Sequence, residues 1–181
     1  MAKVSLTPTG EYSVVDIELL SAEITGRGVM QDVELDKTDF ATDVLENGQC
    51  VVVKGKTIKN PTSANDLVLL NATPCEIYTD YEGRSSFAVK SGKGSLPRLF
   101  ALDKFDVFST NAVYFDDSEF NDLAALKTAV KNGEVVVVPD TSRDWKITKE
   151  ANLTGKEKVY GEVTDVVDLS NERTGVRISV R

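Results

Sequence analysis

The chain has 181 residues, 41% hydrophobic and 28% charged, with 21 basic residues against 29 acidic and a net charge of −8. That composition fits one globular domain, alone or with an extended arm, and excludes collagen, coiled coil and disorder. The acidic balance opposes generic binding to nucleic acid or anionic lipid, and the absence of histidine removes Ser-His-Asp and Cys-His nucleophilic sites and the common zinc sites.

Residues 1–12 carry no core pattern, with Pro8 and Gly10 flanking a threonine, and read as an extended N-terminal arm, mobile or docked on a partner. They also lack an apolar stretch of signal-peptide length, and no stretch of the chain approaches the ~20 apolar residues of a membrane span, so no membrane association is expected and the protein is read as made in the cytoplasm. The rest, 13–181, reads as a single β-rich domain that can divide into two lobes, 13–115 and 116–181. Val15-Asp16-Ile17-Glu18-Leu19 alternates apolar and acidic residues, as a half-exposed strand does. After a turn at Gly26-Arg27-Gly28, Val29, Val33 and Leu35 share one parity and suggest a second such strand.

A more buried unit opens at Asn47-Gly48, a strong turn signal, and continues through Cys50-Val51-Val52-Val53, a return over Thr57-Ile58-Lys59 and a further strand at Leu67-Val68-Leu69-Leu70. Asn132-Gly133 introduces a similar pair, Val135-Val136-Val137-Val138 and Trp145-Lys146-Ile147-Thr148-Lys149, which convergent turn chemistry explains better than duplication does. The single helix is predicted over 118–132. Asp117 or Ser118 would be its N-cap, Glu119 and Asp122 its first-turn acids, Phe120, Leu123, Ala124, Leu126 and Val130 its apolar stripe, and Gly133 its stop. Val176, Ile178 and Val180 then alternate in an edge or closing strand. Fold class is therefore mainly β, α+β: an antiparallel β-barrel or sandwich-like body with one α-helix.

Candidate chemistry is sparse, and no catalytic, cofactor or metal residue is assigned. Ser91-Gly92-Lys93-Gly94-Ser95 resembles the end of a phosphate loop, but Phe87 replaces the first glycine and Gly94 the magnesium-binding hydroxyl. Gly26-Arg27-Gly28 lacks the third glycine of a dinucleotide turn, Gln31 standing there. Asp116, Asp117, Glu119 and Asp122 form the densest acidic cluster, which could supply acid and base for glycoside cleavage or oxygens for calcium, but acids are expected at a helix start. Asp36, Asp39 and Asp43 lack the spacing of a calcium loop. Cys50 and Cys75 read as reduced core thiols, with a disulfide left open. Asn71-Ala72-Thr73 and Asn152-Leu153-Thr154 match the glycosylation pattern but are more simply turns. Tyr78, Tyr81, Phe100, Phe105 and Phe108 read as core, while Trp145 is the aromatic expected at an interface. Residues 121–181 hold acids and bases in equal number, and Arg173, Arg177 and Arg181 form a basic edge, either solvated or docked on an acidic partner.

One stretch carries a resemblance. Leu45-Glu46-Asn47-Gly48, the strand pair after it, and Leu67 through Tyr78 resemble small bacteriophage virion proteins in which a leucine, two residues and a glycine open a β-barrel-like unit. Leu99-Phe100-Ala101-Leu102-Asp103-Lys104-Phe105-Asp106-Val107-Phe108-Ser109-Thr110-Asn111 is similar to a segment of those proteins with a Gly-Asp-x-Phe-Ser/Thr turn, Phe105 replacing the glycine. The resemblance implies a head decoration or auxiliary capsid protein, located in the virion and not an enzyme. It further implies a major capsid protein as partner, an N-terminal arm reaching neighbouring subunits and a homo-oligomer, with a trimer favoured. A host-binding adhesin or fibre base is the alternative, and a carboxylate hydrolase on Asp116, Asp117 and Glu119 the third reading.

Overall fold

The structure is a computed structural model that describes residues 2–18, 33–41, 44–73, 97–169 and 173–181, and the backbone alone at 88–90. Its largest element is an eight-stranded sheet of β1 (Lys3–Ser5), β11 (Val113–Asp116), β13 (Trp145–Lys149), β12 (Val135–Pro139), β14 (Gly161–Leu169), β15 (Arg173–Val180), β10 (Val107–Thr110) and β2 (Val15–Glu18), in that spatial order. A five-stranded sheet has the order β3 (Glu34–Leu35), β6 (Thr57–Lys59), β5 (Cys50–Lys54), β7 (Leu69–Asn71), β9 (Leu99–Phe100). A two-stranded ribbon pairs β4 (Val44–Glu46) with β8 (Ala88–Lys90). The body is thus β-rich with one described α-helix, and its sheets do not close into a barrel.

Not all pairing is antiparallel. β11 runs parallel to β13, and β3 parallel to β6. Between β11 and β13 the chain must cross back to the same end of the sheet, and α1 (Leu123–Lys131) followed by β12 makes that crossing. β12 is β-branched throughout before its proline and buried along its whole length, as suits a central strand. Five residues of α1 and its approach, Phe120, Leu123, Leu126, Ala129 and Val130, pack against Val135, Val137, Ile147 and Val163 of the sheet. A smaller cluster of Phe40, Leu45, Val51, Ile58 and Leu99 fills the five-stranded sheet.

The helix is shorter than its sequence pattern predicts. Asp122, not Asp117 or Ser118, is the N-cap, its carboxylate accepting from the Ala125 amide at 2.7 Å. Residues 118–122 form an extension in which the Phe120 amide donates to Asp116 O and the Glu119 side chain reaches across to the sheet. The expected arm is likewise ordered: Lys3, Val4 and Ser5 face Asp116, Phe115 and Tyr114 as an edge strand of the body. Conversely β15, expected as an edge or closing strand, is central, flanked by β14 and β10.

The two sheets are joined by Trp145. Its ring is wholly buried beside Phe108 and Tyr160, with centroids 5.8 and 5.3 Å away, and its Nε1–H donates to Gly48 O at 2.8 Å. The interface role expected for Trp145 is therefore corrected: β13 presents it to the core. Gly48 must be glycine, since φ is +85° and a Cβ there would lie 2.0 Å from Thr110 Oγ1. Around this contact, Cys50 N and Sγ both donate to Arg143 O, Gln49 Nε2 donates to Asp144, and Asn71 Nδ2 donates to Glu46 O.

Candidate interaction surfaces

The acidic cluster does not converge on a cleft. Asp116 binds Lys146 at 2.7 Å, Asp117 accepts from the Ala2 amide, and Asp122 caps the helix. Glu119 accepts from Thr148 Oγ1, the Lys149 amide and Asn152 Nδ2, which anchors the helix approach to β13. Asp36 caps its own turn at Thr38 and Asp39 and binds Lys59, and those bonds hold its carboxyl below the usual range, whereas Asp39 accepts from the Asn60 amide. Among the described residues no group of three or more His, Cys, Asp or Glu side chains could hold a metal, and no helix is long and apolar enough to cross a membrane. Gly26-Arg27-Gly28, Gln31, Asp43, Cys75, Tyr78, Tyr81, Phe87 and the 91–95 loop lie outside the described residues.

Other expected positions are spoken for by the interior. Cys50 carries a free, buried thiol whose pKa burial pushes far up. Asn71 is buried with its amide turned inward, and Asn152 donates to Glu119. The three arginines of the expected basic edge neutralise the chain's own acids: Arg173 with Glu11 and the Tyr12 carbonyl, Arg177 with Glu18 at 2.7 Å, Arg181 with Glu150 and Glu162. The edge position expected for those arginines is thereby corrected, because β15 lies inside the sheet and each guanidinium is bound to a carboxylate of its own chain.

The aromatics separate sharply. Phe108 is buried in the core and Phe100 packs at its margin, but Phe105 is 76% exposed. Its backbone has φ of +76°, a left-handed conformation that costs a bulky residue about 1–2 kcal/mol. The turn is held from inside: the Phe105 amide donates to Val180 O, the Val180 amide to Asp106 O, and the buried Asp106 carboxylate accepts from the Asp103 amide. Lys104 Nζ lies 5.3 Å from the Phe105 ring centre. The residue at the glycine position of the resembled motif thus keeps a glycine backbone while displaying a ring to solvent.

Sheet edges supply further surface. Val4 of β1 and Ile17 of β2 are 37% and 41% exposed at opposite edges of the large sheet. Beside β2 a groove of about 290 Å³ is lined by Asp16, Glu18, Val107, Ser109, Asp168 and Arg177 among others. Sequence reasoning missed the Phe105 surface because a phenylalanine near two others looks like core; the positive φ has no signal in the residue itself. No protein-family model matches the chain, and no curated protein or solved structure shows significant similarity to it.

Proposed function

We propose that the protein is a structural component of a phage virion that docks, as a homo-oligomer with a trimer favoured, on the outside of the assembled capsid and reinforces the shell. The observation that carries this reading is Phe105, an aromatic held out to solvent at a backbone cost with little internal packing in return. A ring so placed suits an anchor for an apolar pocket on a partner. The major capsid protein is taken as that partner from the resemblance over residues 45–113. Repetition over a lattice makes a weak contact of this kind sufficient, since linked copies bind with avidity.

Mixing the purified protein with undecorated phage heads and pelleting them tests the reading. The wild-type chain should co-sediment, and Phe105→Ala should remain in the supernatant while its circular dichroism is unchanged. Failure of the wild-type chain to co-sediment overturns it. The exposed ring also suits the second reading, an adhesin or fibre base, which predicts binding to host cells and none to heads.

A further inference from the structure

We propose that copies of this chain join head to tail through the large sheet, β1 of one copy adding in parallel to β2 of the next. The inference rests on the homo-oligomer part of the reading above and is independent of capsid docking.

Strand directions come first. Following the pairings across the sheet, β1 is antiparallel to β11, β11 parallel to β13, and every later pair antiparallel, so β1 and β2 point the same way. Two copies that extend one sheet through unlike edges, keeping its faces in register, therefore meet as parallel strands. Two copies meeting through like edges would be antiparallel.

The outward backbone groups agree. Leu6 N donates to Val113 O and Asp117 N to Ala2 O, so in the alternating antiparallel ladder Val4 also faces β11, leaving Lys3 and Ser5 facing out. Val180 N donates to Asp106 O, so alternate residues of β10 face β15; Val107 and Ser109 then face Glu18 and Asp16, leaving Val15 and Ile17 facing out. A parallel ladder requires one outward-facing residue to bond the two neighbours of its opposite. Placing Val4 opposite Ile17 lets Ile17 bond both Lys3 and Ser5, and Lys3 bond both Val15 and Ile17. An antiparallel ladder would instead set Lys3 opposite Ile17.

Side chains agree as well. Residues opposite one another in register share a face, and the register from Val4 through Phe115, Ile147 and Val137 to Gly161, Val180 and then Ile178, Phe108 and Ile17 puts Val4 and Ile17 on the same, core-side face. Lys3 lies on the other face with Asp16 and Glu18, where its ammonium, which binds Asp140 of its own chain at 3.0 Å, would sit opposite Asp16 as well. Joining β2 to β2 would set those acids against their own copies, which is unfavourable. β1 and β2 have three and four residues, and such a ladder alone buries less than a stable interface needs. Assembly therefore relies on the closure of a ring, which unlike-edge contacts permit.

Sedimentation velocity on the full chain without capsids, across a concentration series, is the test. The wild-type chain should shift from monomer to a discrete oligomer. Ile17→Pro removes an outward N–H without breaking the β10 ladder, and Asp16→Lys reverses the charge; both should stay monomeric with wild-type circular dichroism, and Lys3→Glu should restore assembly to Asp16→Lys. In a Cys75→Ser background, oxidation should cross-link a mixture of Val4→Cys and Ile17→Cys chains and neither alone. A wild-type monomer at every concentration, assembly by Ile17→Pro, or cross-linking of one variant with itself overturns the proposal. Head binding by a monomeric Asp16→Lys chain would leave capsid docking standing while assembly fails.

Discussion

Glycine should be the better residue at position 105 as far as folding is concerned, and the worse one for binding. At an ordinary position alanine is more stabilising than glycine by about 0.5–1 kcal/mol, because glycine has more unfolded freedom to lose. At a φ of +76° the order should reverse. Alanine retains the left-handed strain of about 1–2 kcal/mol and glycine does not, so the difference of the two ranges leaves Phe105→Gly more stable than Phe105→Ala by about 1 kcal/mol. Both variants lose the same ring, which is 76% exposed and so contributes little burial. For a domain of this size 1 kcal/mol corresponds to about 2–4 °C in Tm, within reach of calorimetry. Both variants should fail to co-sediment with phage heads. An alanine variant more stable than the glycine variant would refute the backbone argument, and a glycine variant that pellets like wild type would refute the anchoring role.

Four further outcomes are expected. Gly48→Ala should destabilise by about 2–4 kcal/mol in urea melts, since the added methyl meets Thr110 Oγ1 and Val14 O at a positive φ. Glu119→Ala leaves Thr148 Oγ1 and the Lys149 amide without their acceptor and should cost about 1–3 kcal/mol by the same measurement, whereas Asp122→Ala should cost about 1 kcal/mol as a lost N-cap. Asp144 has its pKa raised by burial, opposed by the Gln49 hydrogen bond and reinforced by Glu46, so the folded state binds its proton more tightly than the unfolded state; stability on its account falls as pH rises through the raised pKa, and Asp144→Asn should be the more stable protein at neutral pH and show less of that slope. At Asp140 the balance is opposite: burial pushes up, but hydrogen bonds from Ser142 and Lys3 outweigh it, so its contribution is present above the ordinary carboxyl pKa and lost as pH falls through the lowered one, and Asp140→Asn should flatten the acid limb of a pH–stability curve.

Local pattern carried much of the fold. The alternation in β2 and β15, the apolar run of β12 and the Asn-Gly steps before β5 and β12 all sit where the residues predict. What the sequence hides is long-range or shared. Acids at 116–119 look like a helix cap run, but the Glu119 carboxylate is claimed by β13, thirty residues on, and the helix waits for Asp122. Lys3–Ser5 shows no core pattern because it joins the sheet through backbone bonds, with its side chains exposed. Trp145 sits in a charged hairpin, so nothing local announces that its face of β13 is the buried one. Arg173, Arg177 and Arg181 read as a free basic edge because their carboxylates come from β2, β14 and other distant segments. For the surfaces, the edge residues Val4 and Ile17 were legible only as strand members, and Phe105 only as a departure from the resembled motif.

The order of strands in the large sheet has a kinetic consequence. Among the described residues β2 pairs only with β10, and β10 also needs β15, while β1 pairs with β11 more than a hundred residues away. On a ribosome, β1 therefore waits for β11, and β2 waits for β10, whose other neighbour β15 emerges only after residue 173. The five strands of the smaller sheet all precede β10 and can pair with one another meanwhile, before Trp145 and Tyr160 arrive to join them to the large sheet. High contact order of this kind predicts slow completion of folding, with two short strands, Lys3-Val4-Ser5 of β1 and Val15-Asp16-Ile17-Glu18 of β2, left unpaired during synthesis. The charges on β2 then protect the nascent chain from joining strands it should not meet, before they take part in any assembly of the finished protein.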